Sequence, residues 1–171
     1  KGDTMEKSGF FNSTSGDRMY DASDFTGYFA KLVSNGIFYT NADNLRVTPG
    51  GGLSVNILAG SAWINGYAYE NTETRNLTLA AADGVNPRVD RAVIRWDAVA
   101  RQISAAVLTG TAEASPSAPS LTRSDNIYEL ALADIAVAAG AVSLAAGDIT
   151  DRRLDTSLCG TVNSLITAVY E

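Results

Sequence analysis

From residue 21 the apolar positions fall at helical spacing: Phe25, Tyr28, Phe29, Leu32 and Val33 stand at i, i+3, i+4, i+7 and i+8, one face of an α-helix. Asp21 or Ser23 is placed to cap its start, and Asn35-Gly36 supplies a stop. Beyond Gly36 the period drops to two and turn residues become frequent, which predicts short strands at 37–40, 45–48 and 53–59. In SAWINGYAY, residues 61–69, the Asn65-Gly66 pair tolerates the positive φ of a type I′ turn, so a tight hairpin is expected there. A strand at 77–80 follows, then a loop at 82–87 built on Asp83-Gly84 and Asn86-Pro87.

Residues 88–97 alternate cleanly, with Ala92, Ile94 and Trp96 on one face and Arg91, Val93, Arg95 and Asp97 on the other. Residues 102–108 are the expected antiparallel partner, joined through the short 97–101 connection. The Pro- and Ser-rich stretch 109–120 reads as a surface loop. Residues 127–138 contain Ala and Leu that favour helix, but Ile127, Glu129, Ala131, Ala133, Ile135 and Val137 alternate, and strand is the prediction. A short strand at 142–144 lies between Gly140 and Gly147, before the polar run DITDRR at 148–153. In the last stretch Leu158, Val162, Leu165 and Val169 are spaced by 4, 3 and 4, as along a heptad seam. That spacing predicts a C-terminal helix, either packed on its own domain or opening a coiled coil; its unfinished pattern at Tyr170-Glu171 predicts a continuing polypeptide. The expected organisation is an extended arm over 1–20, a helix-plus-strand domain over 21–155 and a terminal helix over 156–171.

Composition narrows the chemistry. With 171 residues the chain fits one domain, and with no histidine it excludes Ser-His-Asp and Cys-His nucleophile pairs and His-rich zinc sites. The single cysteine, Cys159, has no disulfide partner within the chain and reads as a small buried apolar side chain. A net charge of −6 opposes phosphate tracking, so nucleic acid is not an expected partner. No apolar run approaches the ~20 residues of a membrane-spanning helix, and membrane insertion is not expected either. Paired carboxylates remain as a catalytic option. Asp83, Asp90, Asp97, Asp134, Asp148 and Asp151, however, sit at strand ends or beside arginines, where capping and ion pairing explain them. The expectation is therefore no enzyme, no catalytic or metal-ligating set and no cofactor. Arg88, Asp90, Arg91, Arg95, Asp97, Asp151, Arg152 and Arg153 form the densest charge cluster, suited to tying the central hairpin to the segment before the terminal helix. Trp63, Tyr67 and Tyr69 crowd the Asn65-Gly66 hairpin. On one face across the turn they would make a core wedge or a saccharide-stacking platform.

The run FFNSTSGDRMYDASDFTGYFAKLVSNGIF at 10–38 resembles the N-terminal module of tail-fibre and baseplate receptor-binding proteins from phages and prophages of Gram-positive bacteria. GSAWINGYAYEN at 60–71, RVDRAVIRWD at 88–97, LTRSDNIYELALADIAV at 121–137 and DITDRRLDTSLCG at 148–160 extend the resemblance in the same order. It implies a mainly β fold, an antiparallel β-sandwich "shoulder" domain with one N-terminal α-helix, assembled as a homotrimer. The implied place is the virion tail, after assembly in the bacterial cytoplasm, with other baseplate proteins as partners and a distal region that binds host cell-wall saccharide. On that reading Phe10, Phe11 and Tyr20 of the arm are candidates for docking to the baseplate. Leu158, Val162, Leu165 and Val169 are candidates for the trimer interface. Two alternatives stand beside it: a carbohydrate-binding module using Trp63, Tyr67 and Tyr69 directly, and a glycan hydrolase.

Overall fold

The structure is a computed structural model and describes residues 8–166. Over these described residues it is mainly β, with three antiparallel sheets and one α-helix. The helix, α1 (Ala22–Phe29), starts where the side-chain chemistry dictates: Asp21 Oδ1 accepts from the Ser23 backbone N–H at 2.9 Å, and Asp24 Oδ2 accepts from the Asp21 N–H at 3.0 Å, closing a capping box. It ends one turn earlier than the apolar spacing predicts. The Lys31 and Leu32 N–H groups bond three residues back, to Tyr28 and Phe29, and this tightening unwinds the helix before Leu32 and Val33.

The first sheet holds β1 (Gly36–Ile37), β4 (Gly60–Ile64) and β5 (Tyr67–Asn71) in the order β1-β4-β5. A second holds β2 (Val47–Pro49), β3 (Ser54–Ile57) and β6 (Arg75–Thr78) in the order β2-β3-β6. The largest holds β7 (Arg88–Asp97), β8 (Gln102–Leu108), β9 (Ile127–Val137) and β10 (Ile149–Asp151) in the order β10-β9-β7-β8. All three sheets feed one core. Ile37 and Ile64 come from the first sheet, Val55 and Ile57 from the second, Ile94 and Ile135 from the third, and all six are fully buried. Each such side chain contributes about 1.5–3 kcal/mol of burial.

β7 and β9 pair along their whole length, but the register shifts between Ala92 and Val93: Ala92 faces Ala133, whereas Val93 faces Ala131. Leu132 is the bulged residue. The bulge flips the parity of β9, so Leu130, Leu132, Ala133 and Ile135 all enter the core while Glu129 and Ala131 turn to the opposite side of the sheet. The plain alternation read from Ile127 to Val137 is corrected accordingly. That opposite side is also buried, because the 109–122 segment lies back across it. Arg91 Nη1 donates to the Pro119 carbonyl at 2.7 Å, and Glu129 Oε2 accepts from the Thr122 N–H at 2.7 Å.

Two other expectations are corrected. Residues 142–144 form no strand; the third-sheet edge is instead supplied by β10, inside the polar run at 148–153. The predicted C-terminal helix is absent over the described part of its range. Its backbone is drawn into pairing with the chain around β1: the Ile37 N–H donates to Gly160 O (3.0 Å), Val162 N–H to Ile37 O (3.0 Å) and Leu165 N–H to Leu32 O (2.8 Å). Leu158, Val162 and Leu165 therefore make no helical seam, and Val169 lies outside the described residues. Among the described residues no helix is long and apolar enough to cross a membrane.

Candidate functional site

The acidic side chains weighed as catalytic carboxylates are each committed to structure. Asp83 Oδ1 accepts from the Val85 and Asn86 N–H groups, Asp97 Oδ1 from Val99 and Ala100, and Asp148 Oδ2 from Ala145. Asp90 pairs with Arg88, Asp134 with both Arg91 and Arg152, Glu129 with Arg95, and Asp151 with Arg153. The Asp134 fork ties β9 to β7 on one side and to the segment after β10 on the other. The expected tie between the central hairpin and that segment thus runs through a carboxylate outside the predicted cluster, whose own members pair with one another locally, Arg88 with Asp90 and Arg153 with Asp151. Burial alone would raise the Asp151 carboxyl, but the hydrogen bonds and charge of Arg153, with Arg46 further off, hold it below the usual carboxylate value. Among the described residues no group of three or more acidic or thiol side chains is arranged to hold a metal ion.

Cys159 is buried, and burial pushes its thiol up to about 12, with Arg153 the leading opposing influence. A thiol held neutral to that degree is a poor nucleophile. The native protein is therefore expected to react with a disulfide reagent at pH 8 at least ~100-fold more slowly than the unfolded chain; equal rates would contradict the burial.

The outstanding surface feature is aromatic. Phe10 of the arm seats its ring against Tyr20, Phe25 and Tyr28, with centroids 6.0, 5.6 and 5.2 Å away. Tyr28 meets Phe29, Phe29 meets Trp63 at 5.8 Å, and Trp63 meets Phe38 at 6.4 Å. Seven rings thus run in contact from the arm, along α1, to β4 and the end of β1. No residue of α1 is buried, so its aromatic stripe faces outward as part of this band. The arm is clipped to it by the Tyr20 hydroxyl, which accepts from the Phe11 N–H at 2.8 Å and donates to the Phe11 carbonyl at 3.1 Å. Of the three arm residues singled out by the sequence, Phe10 and Tyr20 build the band, while Phe11 stands beside it under the Arg18 guanidinium, 5.5 Å from its ring centre.

The Trp63, Tyr67 and Tyr69 platform does not form. The two-residue turn pairs Ile64 with Tyr67, Trp63 with Ala68 and Ala62 with Tyr69. Cross-strand partners share a face, so Trp63 lies on one side of the hairpin and the two tyrosines on the other. Trp63 is enclosed by Phe29 and Phe38, and its Nε1 is buried without a hydrogen-bond partner among the described residues. Tyr69 packs on the core, and Tyr67 meets Trp96 of β7 at 5.7 Å. The sequence missed both the band and the Tyr67–Trp96 contact. A signal for the band was present in the α1 stripe, whose i, i+3, i+4 positions are aromatic rather than aliphatic.

No protein-family model matches the chain, and neither a curated protein nor a solved structure is significantly similar to it.

Proposed function

We propose that the protein is a structural module of a phage tail tip, which joins copies of itself and anchors a receptor-binding fibre to the baseplate. On this reading the three sheets close around their core as a β-sandwich, and the aromatic end is the assembly surface. The observation that carries the proposal is the extent of that end. Phe10, Phe11, Phe25, Tyr28, Phe29 and Phe38 are each between 36% and 58% exposed, and at ~200 Å² per aromatic side chain they present on the order of 600 Å². That is the upper end of what a monomer ordinarily leaves bare. Leu165 and Ile166 are also exposed, on the segment held against the end of α1, and bring the total to about 800 Å², one partner's share of a standard interface.

The occupant is a further copy of this chain, joined in threes around the band rather than along a terminal coiled coil. Three distal tips held at fixed spacing would then add weak host contacts through effective concentration. In a phage carrying the parent gene, removal of residues 5–20 takes away Phe10, Phe11 and Tyr20 but leaves every strand and α1. The expected result is a domain that still unfolds cooperatively yet is missing from purified tails; normal incorporation would overturn the assignment.

A further inference from the structure

A second feature lies at the outer edge of the β4–β5 hairpin, where β5 and the start of α1 meet the β7–β8 turn. Edge strand β5 and the β7–β8 hairpin leave a groove of about 380 Å³ between them, within the ~300–1,000 Å³ range of small-molecule sites. Its floor includes the rings of Tyr67 and Trp96, tilted by 41° to one another. Asp97, Arg101 and Gln102 line its rim, and Ile103 closes the apolar side.

The polar groups here retain unused hydrogen-bonding capacity. Asp97 uses Oδ1 to cap its own turn, accepting from Val99 N–H at 2.9 Å and Ala100 N–H at 2.7 Å. Its Oδ2 has no hydrogen-bond partner among the described residues, and the same holds for the Arg101 guanidinium, the Gln102 amide, the Tyr67 hydroxyl and the Trp96 indole N–H. The rim therefore offers one carboxylate acceptor, an amide with both functions and several donors around an apolar floor. Arg101 occupies the left-handed region, with φ at 55°, in an exposed turn where glycine would be unstrained.

We propose that this groove binds a pyranose sugar. A pyranose has a C–H face that lies on aromatic rings and an equatorial rim of hydroxyls that each donate and accept, which matches this floor and rim. The opposed charges of Asp97 and Arg101 balance, which selects a neutral sugar over an anionic one. No ring of the seven-ring band lines the groove, although Ala22 at the start of α1 does, so the sugar-binding test reads Trp96 and not the assembly surface.

The chain has two tryptophans, so a nitrogen-15 correlation spectrum of the full protein carries two indole signals, assigned through Trp63→Phe. Titration with glucose, galactose and N-acetylglucosamine to about 50 mM is expected to shift the Trp96 signal saturably for at least one sugar, with a millimolar dissociation constant. The enclosed Trp63 signal stays in place. Arg101→Gly, which suits the local φ and leaves the fold intact, is expected to weaken that binding about tenfold. A Trp96 signal unmoved by all three sugars overturns the proposal, as does a Trp63 signal that moves equally or an Arg101→Gly variant that binds as tightly as the parent.

Discussion

Replacing Asp90 with alanine is expected to lower the unfolding free energy by about 3–5 kcal/mol, the cost of leaving a buried charge without its partner. Asp90 is fully buried and Arg88 is 4% exposed. The Arg88 Nε–H reaches both Asp90 oxygens, at 2.9 and 3.1 Å, and the Gly110 N–H donates to Oδ1 at 2.9 Å. The remaining Arg88 nitrogens donate to the Ala80 and Ala81 carbonyls at 2.6 and 2.7 Å. This one pair joins the start of β7 to the segment after β6 and to the start of the 109–122 loop. Without the carboxylate, the guanidinium either stays buried and unpaired or drags β7 toward water. The paired replacement Arg88→Met with Asp90→Leu separates charge burial from packing: it is expected to recover part of the loss, since the apolar side chains need no partner but the Gly110 N–H and the Ala80 and Ala81 carbonyls lose theirs. Urea denaturation of the three proteins checks both statements. A loss below ~1 kcal/mol for Asp90→Ala would mean that the pair is solvated.

Gly66→Ala is expected to cost about 2–5 kcal/mol, from a left-handed backbone and an overpacked contact acting together. Gly66 has φ at 84° in the β4–β5 turn, and a Cβ there would run into the Thr26 carbonyl of α1. Around it, the Asn35 side chain brackets the turn, accepting from the Asn65 N–H at 2.7 Å and donating to Asn65 Oδ1 at 3.0 Å. The helix thus rests directly on this turn. Adding one methyl group displaces α1, and with it Phe25, Tyr28 and Phe29, so self-association is expected to fall along with stability. Gly51→Ala is the matched control: its φ is 89° but nothing lies within 4 Å of its added Cβ, so it is expected to show the left-handed penalty alone, about 1–2 kcal/mol. Equal effects at the two glycines, followed by thermal unfolding, would contradict the close approach of helix and turn.

Features set by neighbouring residues were legible in the sequence. The Asn65-Gly66 turn, the Asp21 cap, the β7–β8 hairpin and the neighbouring pairs Arg88–Asp90 and Arg153–Asp151 all follow from local turn chemistry or from alternation in a long strand. Features set by distant partners were not. The spacing of Leu158, Val162 and Leu165 matches a heptad, but twelve residues carry no information about what their backbone pairs with. Here it pairs with Leu32 and Ile37, more than a hundred positions away. Gly36 shows the same limit: it reads as a helix stop, yet a Cβ there would press on the Thr161 carbonyl carbon at 2.5 Å, so the close approach of the C-terminal segment also requires it. The bulge at Leu132 hid the true parity of β9, because one inserted residue converts a two-residue period into a run that also fits helix. Assigning Trp63, Tyr67 and Tyr69 to one face failed by a single step of register across a two-residue turn. For the candidate site, the sequence pointed to the arm but not to the surface the arm completes, which depends on α1 lying against β4.

The mass of the protein in solution tests the assembly reading most directly. Light scattering on a size-exclusion column at micromolar concentration is expected to give three times the 17.9 kDa chain mass, and the double variant Phe25→Lys, Tyr28→Lys is expected to give a monomer that still unfolds cooperatively. Both side chains are about half exposed, so their replacement disturbs the band without opening the core. A parent protein that runs as a monomer, or a trimer that survives both lysines, would contradict the claim that the aromatic end joins the copies.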